Sequence, residues 1–118
     1  MNASKRKSMD RIEQQFFGLL SLASRARQLE CGEPQARKAV SANMAVMVLI
    51  DADMSEGSRK KVLNNGSFYG VPVYEVSAGH LGAAIGRNCM CCAVRRGELG
   101  NQLAKKVVEN EFEHIHRT

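Results

Sequence analysis

Tryptophan is absent from the 118 residues, and two tyrosines and four phenylalanines supply all the aromatic rings. A platform that stacks successive single-stranded bases needs several rings side by side, so that mode of binding is disfavoured. Long apolar runs are also missing, and nothing approaches the ~20 residues that a membrane-spanning helix needs. The opening Met1 to Asp10 is polar and basic, with no apolar segment behind it that ends in a small-residue cleavage site. It does not read as a secretory signal, which leaves the cytoplasm as the expected location. The sequence contains no phosphate-cradling Gly-x-x-x-x-Gly-Lys run, no Gly-x-Ser-x-Gly elbow and no His-Glu-x-x-His pair. The usual catalytic signatures are therefore lacking, and no enzyme activity and no cofactor are expected. No internal repeat, linker or low-complexity segment divides the chain beyond its basic leader, so one domain is expected.

What is present is positive charge. Lys and Arg number 17 against 12 acids, giving a net charge of +5 and a pI near 9.3. Eight basic residues lie between Met1 and Lys38 against four acids, and Arg59-Lys60-Lys61 and Arg95-Arg96 form two further clusters. Such surfaces suit phosphate, because bound Lys and Arg release condensed counterions. Charge alone is equally compatible with a merely solvated surface.

Residues 1–8 read as a disordered basic leader, 9–111 as the domain, and 112–118 as a flexible tail. Ile12, Phe16, Leu19, Leu20 and Ala23 fall on one helical stripe, predicting a helix to about Ala26. Gln28 to Cys31 is a short extended piece, and Pro34 suits the first turn of a second helix, Pro34 to Ala42. The apolar run Val46 to Ile50 is a strand buried on both faces. Ser55 can cap a third helix that Asn64-Asn65-Gly66 would stop. Val71 to Val76 is a strand, Gly79 to Ile85 a short helix, Cys89 to Val94 the last strand, and Glu98 to about Glu111 the last helix. Alternating helices and strands predict an α/β fold, a three-layer α/β/α sandwich on a small mixed four-stranded sheet.

Two segments are candidate sites. The first runs from Arg25 to Lys38, where an extended piece meets a helix N-terminus whose free N–H groups attract phosphate. Gly32 removes the side chain that would block close approach, and Lys38 lies one turn inside the helix. The bland alternative is an ordinary helix start with exposed cations. The second is Leu81 to Cys89, where Gly86 permits a sharp exit and Arg87-Asn88 precede a buried strand; plain turn chemistry explains it equally well. Cys89, Cys91 and Cys92, with Cys31 and His80 as conceivable partners, suggest zinc. However, Cys91 and Cys92 are neighbours on a predicted strand and must point to opposite faces, so they read as core thiols. His114 and His116 sit in the expected mobile tail, a poor place for a metal. Asp51 and Asp53 flank a strand end, where carboxylates can hold magnesium but more often stop the strand and cap the next helix.

Taken in order, Leu19-Leu20-Ser21-Leu22-Ala23-Ser24-Arg25-Ala26-Arg27, Gly32-Glu33, Lys38-Ala39, Val46 to Ile50 with Asp53 and Ser55, Lys60-Lys61, Tyr69 to Tyr74 and Leu81 to Arg87 resemble one family. It is the ribosomal protein L-seven-Ae/L-thirty-e family, in its bacterial YlxQ-like branch, and the resemblance runs from about Phe17 to Val107. That resemblance implies the α/β/α sandwich and binding of kink-turn RNA, a sharply bent internal loop with tandem G·A pairs. Carried over by position, Gly32, Glu33, Pro34, Gln35 and Lys38 would form one RNA surface. Gly86, Arg87, Asn88 and Cys89 would form the other, with Arg27 flanking phosphates. Archaeal and eukaryotic members place Asn-Glu where this chain has Pro34-Gln35, and an apolar loop where it has Arg87-Asn88. The implied partner is a ribosomal or regulatory RNA, bound by a monomer. A ribosome-associated interaction protein without kink-turn specificity is the alternative.

Overall fold

The computed structural model describes residues 10–118, and in chain order its elements begin with α1 (Arg11–Arg25), β1 (Leu29–Cys31), α2 (Glu33–Ser41) and β2 (Ala45–Asp51). There follow α3 (Glu56–Tyr69), β3 (Val73–Val76), α4 (His80–Ile85), β4 (Cys91–Arg95), α5 (Glu98–Glu109) and β5 (Ile115–Arg117). The basic leader expected at residues 1–8 lies outside the described residues.

The strands form one mixed sheet in the order β1-β4-β2-β3-β5. Only β2 and β3 are parallel, and the other pairs are antiparallel. The apolar run of β2 sits at the centre because both of its faces are covered. Met47 and Leu49 face Phe16, Leu20, Leu81 and Leu103 of α1, α4 and α5. Val48 and Ile50 face Ala36, Val40 and Val62 of α2 and α3. This is the predicted three-layer sandwich. Phe16 and Leu20 have no exposed surface; burying each side chain contributes about 1.5–3 kcal/mol, and truncating Leu20 to alanine would cost about 2–5 kcal/mol.

Four local expectations change. First, the sheet has five strands rather than four, because the segment expected to fray after Glu111 pairs β5 with β3, Tyr74 opposite Arg117 and Val76 opposite Ile115. Phe112 and Ile115 are buried and fasten it. Second, α3 does not stop at Asn64-Asn65-Gly66. It runs to Tyr69 and ends at Gly70, which takes the left-handed conformation at φ 70°. Gly66 is a packing site instead: a Cβ there would lie 2.8 Å from Val73 Cγ2 and 2.9 Å from the Val71 carbonyl oxygen. Third, the buried stripe of α1 takes Glu13 and Phe17, while Ile12 turns outward. Fourth, β4 starts at Cys91, so Cys89 belongs to the loop before it.

Candidate nucleic-acid interface

The N-terminus of α2 is open for a reason written in its backbone. Gly32 caps it at φ 103° and ψ 147° and, having no side chain, makes no capping hydrogen bond of its own. That conformation belongs to glycine. Ordinarily a Ser, Thr or Asp would quench the first N–H groups. Here they keep their partial positive charge, and Pro34 in the first turn has no N–H to satisfy. Gly32 is itself fixed, donating its N–H to the Cys91 carbonyl.

The loop before β4 faces this opening. Gly86 ends α4 in the left-handed conformation at φ 86°. Arg87 then folds back, its N–H donating to the Gly82 carbonyl at 3.2 Å. A side chain on Gly82 would meet the Arg87 carbonyl oxygen at 3.0 Å, so glycine there lets the loop lie flat on its helix. Between the two features is a cleft of about 450 Å³ whose lining includes Gly32, Glu33, Arg87, Asn88 and Cys89. The β2–α3 turn completes it with Met54, Ser55 and Ser58, and Met90 adds apolar surface. Ser55 was legible only as a helix cap, which it is, accepting from the Ser58 N–H at 3.4 Å. No sequence signal marked Met54 or Met90.

Asp51 holds the floor together. It is buried, and its two carboxylate oxygens accept from the Asp53 N–H at 2.7 Å and the Gly79 N–H at 2.9 Å. Its own N–H donates to the Met90 carbonyl. Both carboxylate oxygens are thus engaged by backbone, which is the strand-ending role weighed against magnesium.

Five of the sequence-predicted residues therefore meet in one cleft. Gly86 lines an adjoining hollow with Arg87, Asn88 and Cys89. Pro34, Gln35 and Lys38 are exposed and do not line the cleft. Lys38 follows Pro34 by four residues, so these two share the outer face of α2, whereas the Gln35 side chain turns back over the tip, its Oε1 2.5 Å from where a Cβ on Gly32 would stand. Arg27 is exposed, at φ 59°, beyond the far end of β1 from Gly32. At ~3.3 Å per residue that separation reaches ~16 Å.

The basic clusters sort themselves by partner. Arg59 pairs with Glu75 at 2.7 Å, Arg95 with Glu30 at 2.7 Å, and Arg37 with Glu33 at 2.8 Å. Arg96 donates to the carbonyl and side-chain oxygens of Asn43. By contrast Arg27, Lys38, Lys60, Lys61 and Arg87 are exposed and make no carboxylate pair among the described residues. Of these, the Arg87 guanidinium lies beside the Cys31 thiol, and the other four have no carboxylate competing with a phosphate.

Cys31, Cys89 and Cys91 line the cleft, and buried Cys92 lies behind it on the same side of the sheet as Cys31 and Cys89. Cys31 stands opposite Cys92 across the β1–β4 pairing, and the loop position of Cys89 brings it to the same side. Cys91 points into the opposite core, as adjacent strand positions require. Half-buried Cys31 is the thiol that ionises first. Donation from Cys89, then Cys92, and the nearby Arg87 guanidinium hold its pKa far below the ordinary thiol value. Its neighbour Cys89 is pushed up to about 11, chiefly by its hydrogen bond to Cys31. Burial pushes Cys91 up to about 12.

Residues 14–106 match the family model described as the ribosomal protein L7Ae/L30e/S12e/Gadd45 family. The chain is 38% identical over 74 residues to the RNA-binding protein YlxQ of Bacillus subtilis (strain 168), an alignment covering 62% of this chain and 74% of that protein. A protein with unknown function from Bacillus halodurans C superposes with a TM-score of 0.72 at 34% identity, covering 79% of this chain and 96% of the other. The Giardia lamblia 15.5kD RNA binding protein superposes with a TM-score of 0.67 at 21% identity, covering 86% and 89%, and shares the fold.

Proposed function

Because the chain belongs to the ribosomal protein L7Ae/L30e/S12e/Gadd45 family, we propose that it is a non-catalytic, cytoplasmic RNA-binding protein that grips a sharply bent RNA as a monomer. One observation carries this reading: the uncapped, glycine-opened start of α2 and the Arg87-Asn88 loop face each other across a single cleft. The likeness to an RNA-binding relative of Bacillus subtilis supports the same class of ligand. In this reading free N–H groups at the helix tip and Arg87 meet phosphates. Glu33 and Asn88 address base edges, and the apolar wall of Met54 and Met90 receives a displaced base. Lys38 and Arg27 extend the phosphate contacts along the flanking duplex.

The bound RNA is proposed to be kink-turn-like and ribosomal or regulatory. A gel shift with a kink-turn RNA, against the same duplex with its tandem G·A pairs replaced, tests this. Tighter binding of the kinked RNA is expected. Equal affinity for both would reject recognition of the kink and would favour a protein docking on the ribosome through charge alone. The polar pair Arg87-Asn88, in place of an apolar loop, is the observation on which that second reading rests.

A further inference from the structure

Away from the cleft, Glu13 stands on α1 with no exposed surface. Its Oε2 accepts the backbone N–H of His114 at 2.7 Å. Its Oε1 is equally buried and has no hydrogen-bond partner among the described residues. A bare carboxylate oxygen in the interior loses its hydration with nothing in return. It calls for a positive partner, and the groups nearby are arranged for one. One ligand atom each from Glu13, Glu113 and His114 lie within 4.8 Å of one another.

The imidazole is already oriented. His114 Nδ1 is 3.2 Å from Ser77 Oγ, and its Nε2 is 3.9 Å from Glu113 Oε1. The ring also stacks on His80 with centroids 4.2 Å apart. A histidine that ligates a metal through one nitrogen is held by a hydrogen bond at the other, and Ser77 stands where that bond belongs. The backbone contributes too, because Ser77 donates its N–H to the His114 carbonyl.

We propose that Glu13, Glu113 and His114 bind a zinc-class divalent cation that clamps the C-terminal strand β5 to α1. Two carboxylates and one imidazole supply three protein ligands and leave a fourth position for water. An imidazole in the set selects against magnesium and calcium, which take oxygen shells. The cation would neutralise two acids held together and would give Glu13 Oε1 its missing partner. It would also join parts of the chain about a hundred residues apart. None of the three ligands lines the Gly32–Arg87 cleft, so the site stands independently of RNA binding.

Calorimetric titration of the chelator-stripped full chain with zinc chloride tests the site. One zinc per chain is expected, with no response to magnesium chloride at the same concentrations, and a thermal midpoint that climbs with zinc. Glu113 is exposed, so Glu113→Gln should keep the metal-free midpoint of the parent while abolishing the zinc response. Ser77→Ala should weaken zinc about 10–100-fold by freeing the ring. His116→Ala, at an exposed histidine outside the trio, should bind as the parent does. Absence of binding in the parent overturns the proposal, as does a zinc response unchanged in Glu113→Gln or lost in His116→Ala. A parent that takes no zinc while Glu13→Gln is as stable as the parent would overturn it too, showing that Oε1 needs no cation.

Discussion

The N–H of Gly32 donates to the carbonyl of Cys91 at 2.7 Å, bolting the residue that opens α2 to the first residue of β4. The helix tip cannot relax toward a normal cap without breaking that bond. Gly32→Ala is therefore expected to destabilise the protein by about 1–3 kcal/mol, since an alanine at φ 103° is strained wherever its methyl goes. Urea denaturation would read this as a lower midpoint at unchanged slope.

Arg87 and Lys38 are both free of carboxylate partners, yet only Arg87 lines the cleft. Arg87→Ala should cost about 1–3 kcal/mol of RNA affinity and narrow the preference for bent over straight RNA. Lys38→Ala should weaken both RNAs alike and reduce the log–log salt slope by about 1. Filter binding across a salt series separates the two. A Lys38→Ala variant that loses discrimination would contradict the placement of Lys38 on the outer face.

Cys31 should be the first thiol to react. Its folded-state pKa is depressed, so its thiolate persists as pH falls, whereas an ordinary thiol loses about tenfold in thiolate per pH unit below ~8.5. Iodoacetamide at pH 6 is expected to label Cys31 alone, leaving the raised Cys89, Cys91 and Cys92 unmodified until the protein unfolds. The adduct would protrude into the cleft and should block RNA binding. Mass spectrometry of tryptic peptides gives the site directly.

Removing residues 112–118 deletes Phe112 and Ile115, both buried against the α1 side of the sheet. At about 1.5–3 kcal/mol for each side chain, a loss of about 3–6 kcal/mol is expected. A thermal melt followed by circular dichroism would show it. A truncated chain as stable as the parent would mean that β5 is only laid on the sheet.

Legibility in the sequence followed the density of local pattern. The run Val46–Ile50 has no polar interruption, so its place between two helical layers could be read directly. The short β5 offered a single apolar residue between His114 and His116, too little for an alternation to register. Gly66 is ambiguous in one dimension, because a glycine that ends a helix and one that admits a close neighbour look alike until Val73 is seen against it. The thiols turned on a boundary of two residues. With Cys89 on the strand it would share a face with Cys91, but in the loop it joins Cys92 and Cys31. Both lips of the cleft were legible, through Gly32 and Arg87. Its floor was not, since Met54 and Met90 reach it only through the sheet order.

Asp51 ties three pieces of chain to one buried residue: its carboxylate holds the turns bearing Asp53 and Gly79, and its backbone N–H holds the Met90 carbonyl. These ties hold the turns beside the cleft to the end of β2, which leaves those turns less to order at the moment of contact. On the proposed reading, an RNA already bent would meet this mould with less rearrangement than a straight one.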